Sequence, residues 1–131
     1  MEILVIDGLG GGIGKSIVEA IKKECPQYEI IAVGTNSAAS SNMKKGGADY
    51  IATGENAVIY NVSRVSMIVG PIGIVFGNSM HGEITPAMAQ AISCSDVRKY
   101  LLPMSKCNGY VIGVESKGIQ EYIEELINLL K

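Results

Sequence analysis

Residues 5–18 read VIDGLGGGIGKSIV, with five glycines among the seven positions 8–14. Ahead of them, residues 2–6 (EILVI) form a short aliphatic run, as a buried parallel strand does. Behind them, Ile13, Ile17, Val18 and Ile21 recur at helical spacing. Lys15, Glu19, Lys22 and Lys23 lie largely off that stripe, so the segment is an amphipathic helix, which Pro26 stops. YEIIAVG (residues 28–34) is a second strand ending at Gly34. Strand, helix and strand in this order make a right-handed βαβ unit, the signature of a parallel sheet.

The remaining segments extend that unit. SAASSNMKKGGAD (37–49) reads as a short helix closed by Gly46 and Gly47, and YIATG (50–54) as a third strand. NAVIYNVSR (56–64) is a poorly marked helix or extended link, and VSMIVG (65–70) a fourth strand stopped by Gly70-Pro71. IGIVFGNSM (72–80) is ambiguous between strand and buried helix. Thr85-Pro86 starts a helix that runs to about Ser93. KYLLPM (99–104) and GYVIGVE (109–115) read as two strands joined only by SKCN, too short for a parallel crossover, which predicts an antiparallel hairpin at one sheet edge. Ile119, Tyr122, Ile123, Leu126, Ile127 and Leu130 mark the clearest helix of the chain. The expected class is α/β. The expected architecture is a single Rossmann-like nucleotide-binding domain over residues 1–131, a mostly parallel sheet of five to six strands with helices on both faces and an antiparallel edge hairpin near the C-terminus.

Composition narrows the function classes. At 131 residues the chain is one domain able to hold a core unaided, and with one Phe and no Trp that core is aliphatic. The net charge of −2 and the scattered basic residues argue against a nucleic-acid surface. No apolar run approaches the ~20 residues that span a bilayer. No basic region followed by a long apolar stretch opens the chain, so a cytoplasmic location is expected. Cys25, Cys94 and Cys107 are odd in number and lack CxxC spacing, which favours reduced thiols over a disulfide framework. A metal site would need the single histidine, His81, to join two of them from afar, and none is expected.

In an open α/β sheet, ligands sit beyond the carboxyl ends of the strands. Candidates there are Gly8, Gly10, Gly11, Gly12, Ile13 and Gly14 in the first loop, then Thr35, Asn36 and Ser37, Glu55 and Asn56, Gly70, Pro71, Ile72 and Gly73, and Asn78. Loops also collect such residues simply as turn formers. Gly8, Gly12 and Gly14 fit G-x-x-x-G-x-G, and the first loop resembles the cofactor loop of short-chain dehydrogenases. That resemblance implies NAD or NADP, whose pyrophosphate would meet the glycine backbone and the helix N-terminus. The family's catalytic Tyr-x-x-x-Lys finds only Tyr60…Arg64, and no hydride-transfer chemistry carries over. Residues 34–37 hold no acid for ribose hydroxyls and no Arg, which leaves NAD against NADP open. The stretch also resembles a P-loop, with Gly14-Lys15-Ser16 in place but Leu9 at the first glycine. In the deviant P-loops of dimeric ATPases, the additional lysine would fall at Gly10. Asp7, Asp49 and Asp96 are the only aspartates, and none ends another strand to organise Mg²⁺. Through VIDGLGGGIGK, GTN, TGENA, GPIGI and GEITPAMA the whole chain resembles a family of small bacterial proteins built on a domain of unknown function. That resemblance implies a Rossmann-like fold and no transferable activity.

The leading expectation is therefore a nucleotide or dinucleotide bound at the strand carboxyl ends, with a binding or regulatory role or an active site completed by a dimer partner. Thr35, Asn36 and Ser37 would meet the ribose end. A homodimer is expected from the apolar chain and its hairpin edge. Three alternatives stand beside it: a small-metabolite enzyme using His81 and Glu83 as an acid–base pair, a P-loop-like ATPase, and a non-catalytic scaffold whose glycines build corners. Asp7 is repulsive to a pyrophosphate unless it turns away to accept loop N–H groups or a ligand hydroxyl. The nucleotide reading requires loop amides that are bare and aimed outward.

Overall fold

The glycine loop leaves the middle of a five-stranded sheet. In the computed structural model, which describes residues 1–131, β1 (Glu2–Asp7), β2 (Glu29–Gly34), β3 (Tyr50–Thr53), β4 (Met67–Pro71) and β5 (Arg98–Leu102) pair in the order β3-β2-β1-β4-β5. Every pair is parallel. Helices α1 (Gly12–Glu24), α2 (Ser37–Lys45), α3 (Glu55–Asn61), α4 (Pro86–Cys94) and α5 (Ile119–Leu130) connect or flank the strands. The order reverses between β1 and β4, which makes that junction the switch point of a doubly wound, Rossmann-like sheet.

β1 is apolar on both faces because both are covered. Ile3 and Val5 join Ile17, Val18 and Ile21 of α1, Met43 of α2, and Ile123, Leu126, Ile127 and Leu130 of α5. Leu4 and Ile6 point the other way, into a second core with Val58 of α3 and Met88 and Ile92 of α4. Each such aliphatic side chain contributes roughly 1.5–3 kcal/mol on burial. Helices therefore lie on both faces. The β1–β2 register runs from Glu2 opposite Glu29 to Asp7 opposite Gly34, so the glycine loop and the Thr35-Asn36 turn leave the sheet side by side.

Two segments settle differently from their sequence reading. The ambiguous run after β4 is a 3-10 turn, Ile72–Val75, and residues 56–61 belong to α3. The expected antiparallel hairpin does not form. Residues 99–102 belong to β5, parallel to β4, while residues 109–115 carry no strand. The physical reason lies in the turn. After Pro103 the carbonyl of Met104 accepts the Gly73 amide, and Ser105 packs against Gly73. Ser105 and Cys107 take φ of 56° and 57°. The chain is thereby led across the carboxyl end of the sheet toward α5, where the Tyr122 hydroxyl donates to Glu115 O and accepts from Lys117 N. β5 keeps an open outer edge.

Candidate functional site

Asp7, the last residue of β1, organises the glycine loop. Its Oδ1 accepts the Gly8 amide at 2.8 Å and its Oδ2 the Gly14 amide at 2.7 Å. One buried carboxylate thus fastens both ends of the loop. Burial pushes the Asp7 carboxyl above its ordinary range; the two amides pull it down less strongly, and the nearby charge of Glu83 adds to the rise.

The glycines divide by what surrounds them. Gly11 sits at φ 72°, and a Cβ there would stand 2.7 Å from Ala39 Cα. A Cβ on Gly14 would stand 2.6 Å from Met43 Sδ. Both let α1 approach α2. Gly10 and Gly12 are exposed, and a Cβ on either would meet nothing within 4 Å. Their freedom is toward solvent.

The loop amides divide in the same way. Gly8 and Gly14 donate to Asp7, Gly11 donates to Gly8 O at 2.9 Å, and Leu9 donates to Glu83 Oε1 at 2.9 Å. Gly10, Gly12 and Ile13 have no protein acceptor. The corner expected to be bare is therefore half filled by the protein's own carboxylates and half open. α1 has no cap from its own N-cap residue, Gly11, and no acid within its first turn; the Asp7 carboxylate, accepting the Gly14 amide, faces its positive end instead. Asn36 and Asn42 hold the loop from outside, donating to Leu9 O at 2.9 Å and Gly10 O at 2.6 Å.

Glu83 arrives on a compact knob formed by residues 76–84, between the 3-10 turn and α4. Asn78 N donates to Ile84 O, Gly82 N to Asn78 O, and the Ser79 hydroxyl to Gly73 O. Met80 and Ile84 are buried in the second core. Asn78, Met80 and His81 hold φ of 69°, 58° and 57°. Met80 Sδ lies against Gly8, 2.7 Å from where a Cβ would stand. Met80 thus packs against the end of β1, and Ser79 holds the turn that follows β4. Beside them, Glu83 Oε1 accepts from Thr35 Oγ1 at 2.5 Å, Asn36 Nδ2 at 2.8 Å and the Leu9 amide. The Thr35 hydroxyl above all holds the Glu83 carboxyl below its usual range; burial opposes this, while Leu9, Asn36 and the His81 charge assist.

The sequence candidates are redistributed accordingly. Glu83 joins the glycine loop, whereas His81 is exposed and makes no hydrogen bond within the chain. Thr35 and Asn36 direct their polar atoms to Glu83, and Asn36 Oδ1 also caps α2 by accepting the Ala39 amide. Ser37 begins α2. Glu55 Oε1 accepts from Thr85 Oγ1 at 2.5 Å, the same hydroxyl that caps α4, and Asn56 is exposed on α3. Gly70, Pro71 and Gly73 are buried, with Gly73 beneath Ser105, and Ile72 lines a separate groove. Asn78 serves the knob's own turn. Lys15 lays its stem against Gly46 at the end of α2. The reading of the sequence missed the union of Glu83 with the Thr35-Asn36 turn. The one available signal was a polar turn after β2 that lacked its own acid.

A second concavity of about 600 Å³ lies between β5, the 111–117 segment and α5, lined by Tyr100, Leu102, Val111, Tyr122, Leu126 and Leu129 among others. Its lining is mainly apolar and includes no residue of the glycine loop.

The chain matches the family model described as Domain of unknown function (DUF3842) over residues 2–131, and it belongs to that family. A search of curated proteins finds no match.

Proposed function

We propose that this member of a domain family of unknown function binds the phosphate of a nucleotide at the β1–α1 corner, through the amides of Gly10, Gly12 and Ile13. The observation that carries the reading is these three amides, which lack any protein acceptor at the start of a 13-residue helix. Open space beside Gly10 and Gly12 lets an anion approach the backbone. The location also suits the reading, since it lies at the carboxyl edge of a doubly wound sheet next to the switch point. Because Met80 packs against Gly8 and Ser79 bonds Gly73, at the ends of β1 and β4, the reading favours a mononucleotide on the β1–β2–β3 side over NAD or NADP. Its role is binding or regulation, or catalysis completed by a second copy. A homodimer through the open edge of β5 belongs to the same proposal; its support is Tyr110 and Ile112, 84% and 90% exposed beside that edge.

Calorimetric titration with AMP, ATP, NAD, NADP and acetyl-CoA tests the reading. AMP or ATP is expected to bind. Gly12→Asp is expected to abolish that binding while the fold stays intact, because its carboxylate takes the position of the phosphate and suits a helix N-terminus. Absence of heat with all five, or unchanged nucleotide affinity in Gly12→Asp, overturns it.

A further inference from the structure

We infer that Glu83 is the specificity-determining carboxylate of this site, accepting the hydroxyls of an unmodified ribose and so selecting ribonucleotides over 2′-deoxy and 2′-phosphorylated ones. The inference rests on the nucleotide reading and deepens it. A doubly wound sheet that binds a nucleotide sets an acid near the end of its second strand to receive the ribose. Here Gly34, Thr35, Asn36 and Ser37 contain none. Glu83 reaches that place from the other side of the switch point.

Its two oxygens are unequal. Oε1 is saturated by the Leu9 amide, Thr35 and Asn36. Oε2 has no protein donor, and no buried side-chain oxygen is left unpaired, so Oε2 reaches solvent beside the glycine loop. Three donors thus fix the plane of the carboxylate and leave one acceptor edge for a ligand hydroxyl. The support behind it is stiff. Residues 78–84 are bonded to one another and to Gly73, and Met80 and Ile84 are packed in the core. Asn78, Met80 and His81 are held at positive φ, a strained conformation that persists where the structure around it fixes the geometry. The knob presents Glu83 rather than swinging it. Next to a fixed negative charge, a 2′-phosphate is repelled, and a 2′-deoxyribose leaves the oxygen without its donor.

The probes are AMP, 2′-deoxy-AMP and adenosine 2′,5′-bisphosphate, titrated into the wild-type chain and into Glu83→Gln. The wild type is expected to prefer AMP by about tenfold or more over each analogue. Glu83→Gln is expected to lose AMP affinity and gain affinity for the bisphosphate, so that the gap closes. AMP binding without discrimination by the wild type overturns the role of Glu83 and leaves the nucleotide reading standing. Discrimination that survives unchanged in a folded Glu83→Gln does the same. No binding of any probe overturns both. The wild-type comparison needs no variant, so a misfolded Glu83→Gln leaves the test decisive.

Discussion

Two loops leave parallel strands at the carboxyl edge and lead to helices on the same face of the sheet, and they are built in opposite ways. The β1–α1 corner turns within residues 8–11, and Asp7 and Glu83 accept five hydrogen bonds there, from the Gly8, Leu9 and Gly14 amides and from Thr35 Oγ1 and Asn36 Nδ2 of the neighbouring turn. The β5–α5 connection wanders from Pro103 to Gly118, anchored by Met104 on Gly73 and by the exposed Tyr122 hydroxyl, with Tyr110 and Ile112 in water. The first is determined by buried polar groups that must be satisfied. The second has few such groups, so its course is set by distant tethers. Long connections of this second kind are commonly functional or interactive surfaces.

A matched pair of glycine substitutions separates the two loops most widely. Gly11→Ala combines left-handed strain of about 1–2 kcal/mol with overlap onto the Ala39 backbone, which costs a further ~1–3 kcal/mol. Gly113 sits at φ 90° with open space around it, so Gly113→Ala carries only the strain. Unfolding free energies from urea titration are expected to fall by about 3 kcal/mol in the first and about 1 kcal/mol in the second. Equal losses would show the two loops to be equally constrained.

Next in size is a pair of polar deletions. Asp7→Asn turns an NH₂ toward one of the two amides that the carboxylate accepts and strands a buried donor, at about 1–3 kcal/mol. Tyr122→Phe releases only exposed partners to water and is expected to cost less than about 1 kcal/mol in the same denaturation series.

The acid arm of the stability curve sharpens the contrast between the two carboxylates at the corner. Glu83 is held below its ordinary value of 4.5, as is Asp49, bound to Lys22 at 2.6 Å, below 3.8. Their stabilisation is complete above those values and is lost as pH falls through the lower folded-state ones. Asp7 has the opposite sign. Its contribution is present below 3.8 and is lost as pH rises through its raised folded-state value. Denaturation midpoints measured from pH 2 to pH 7 should therefore decline on acidification in the wild type and decline less in Glu83→Gln.

The same contrast explains what could be read in the sequence. VIDGLGGGIGKSIV declares its strand, turn and helix because the glycines, the aliphatic run and the helical stripe are all local and agree. The parallel order and the two covered faces follow from that pattern repeated. Glu83 could not be paired with Thr35 in this way, because the contact spans 48 residues and depends on how the knob seats Met80 on Gly8. GYVIGVE misled for the converse reason. Its β-branched alternation is a strand pattern, yet β-propensity records fit to a half-buried surface, and the tethers at Gly73 and Tyr122 carry it away from any strand.

The smallest change in folding stability is expected where the second loop is most apolar. Tyr110 and Ile112 are 84% and 90% exposed on either side of Val111, which lines the groove beside β5. Tyr110→Ser with Ile112→Ser removes side chains that touch almost nothing in the chain, and the unfolding free energy should change by no more than about 0.5 kcal/mol. The homodimer proposal gives the same pair a large effect on a different observable. Sedimentation velocity is expected to show a dimer for the wild type and a monomer for the double variant, while Gly12→Asp, at the other loop, leaves the dimer intact. A wild-type chain that stays monomeric at high concentration overturns the homodimer.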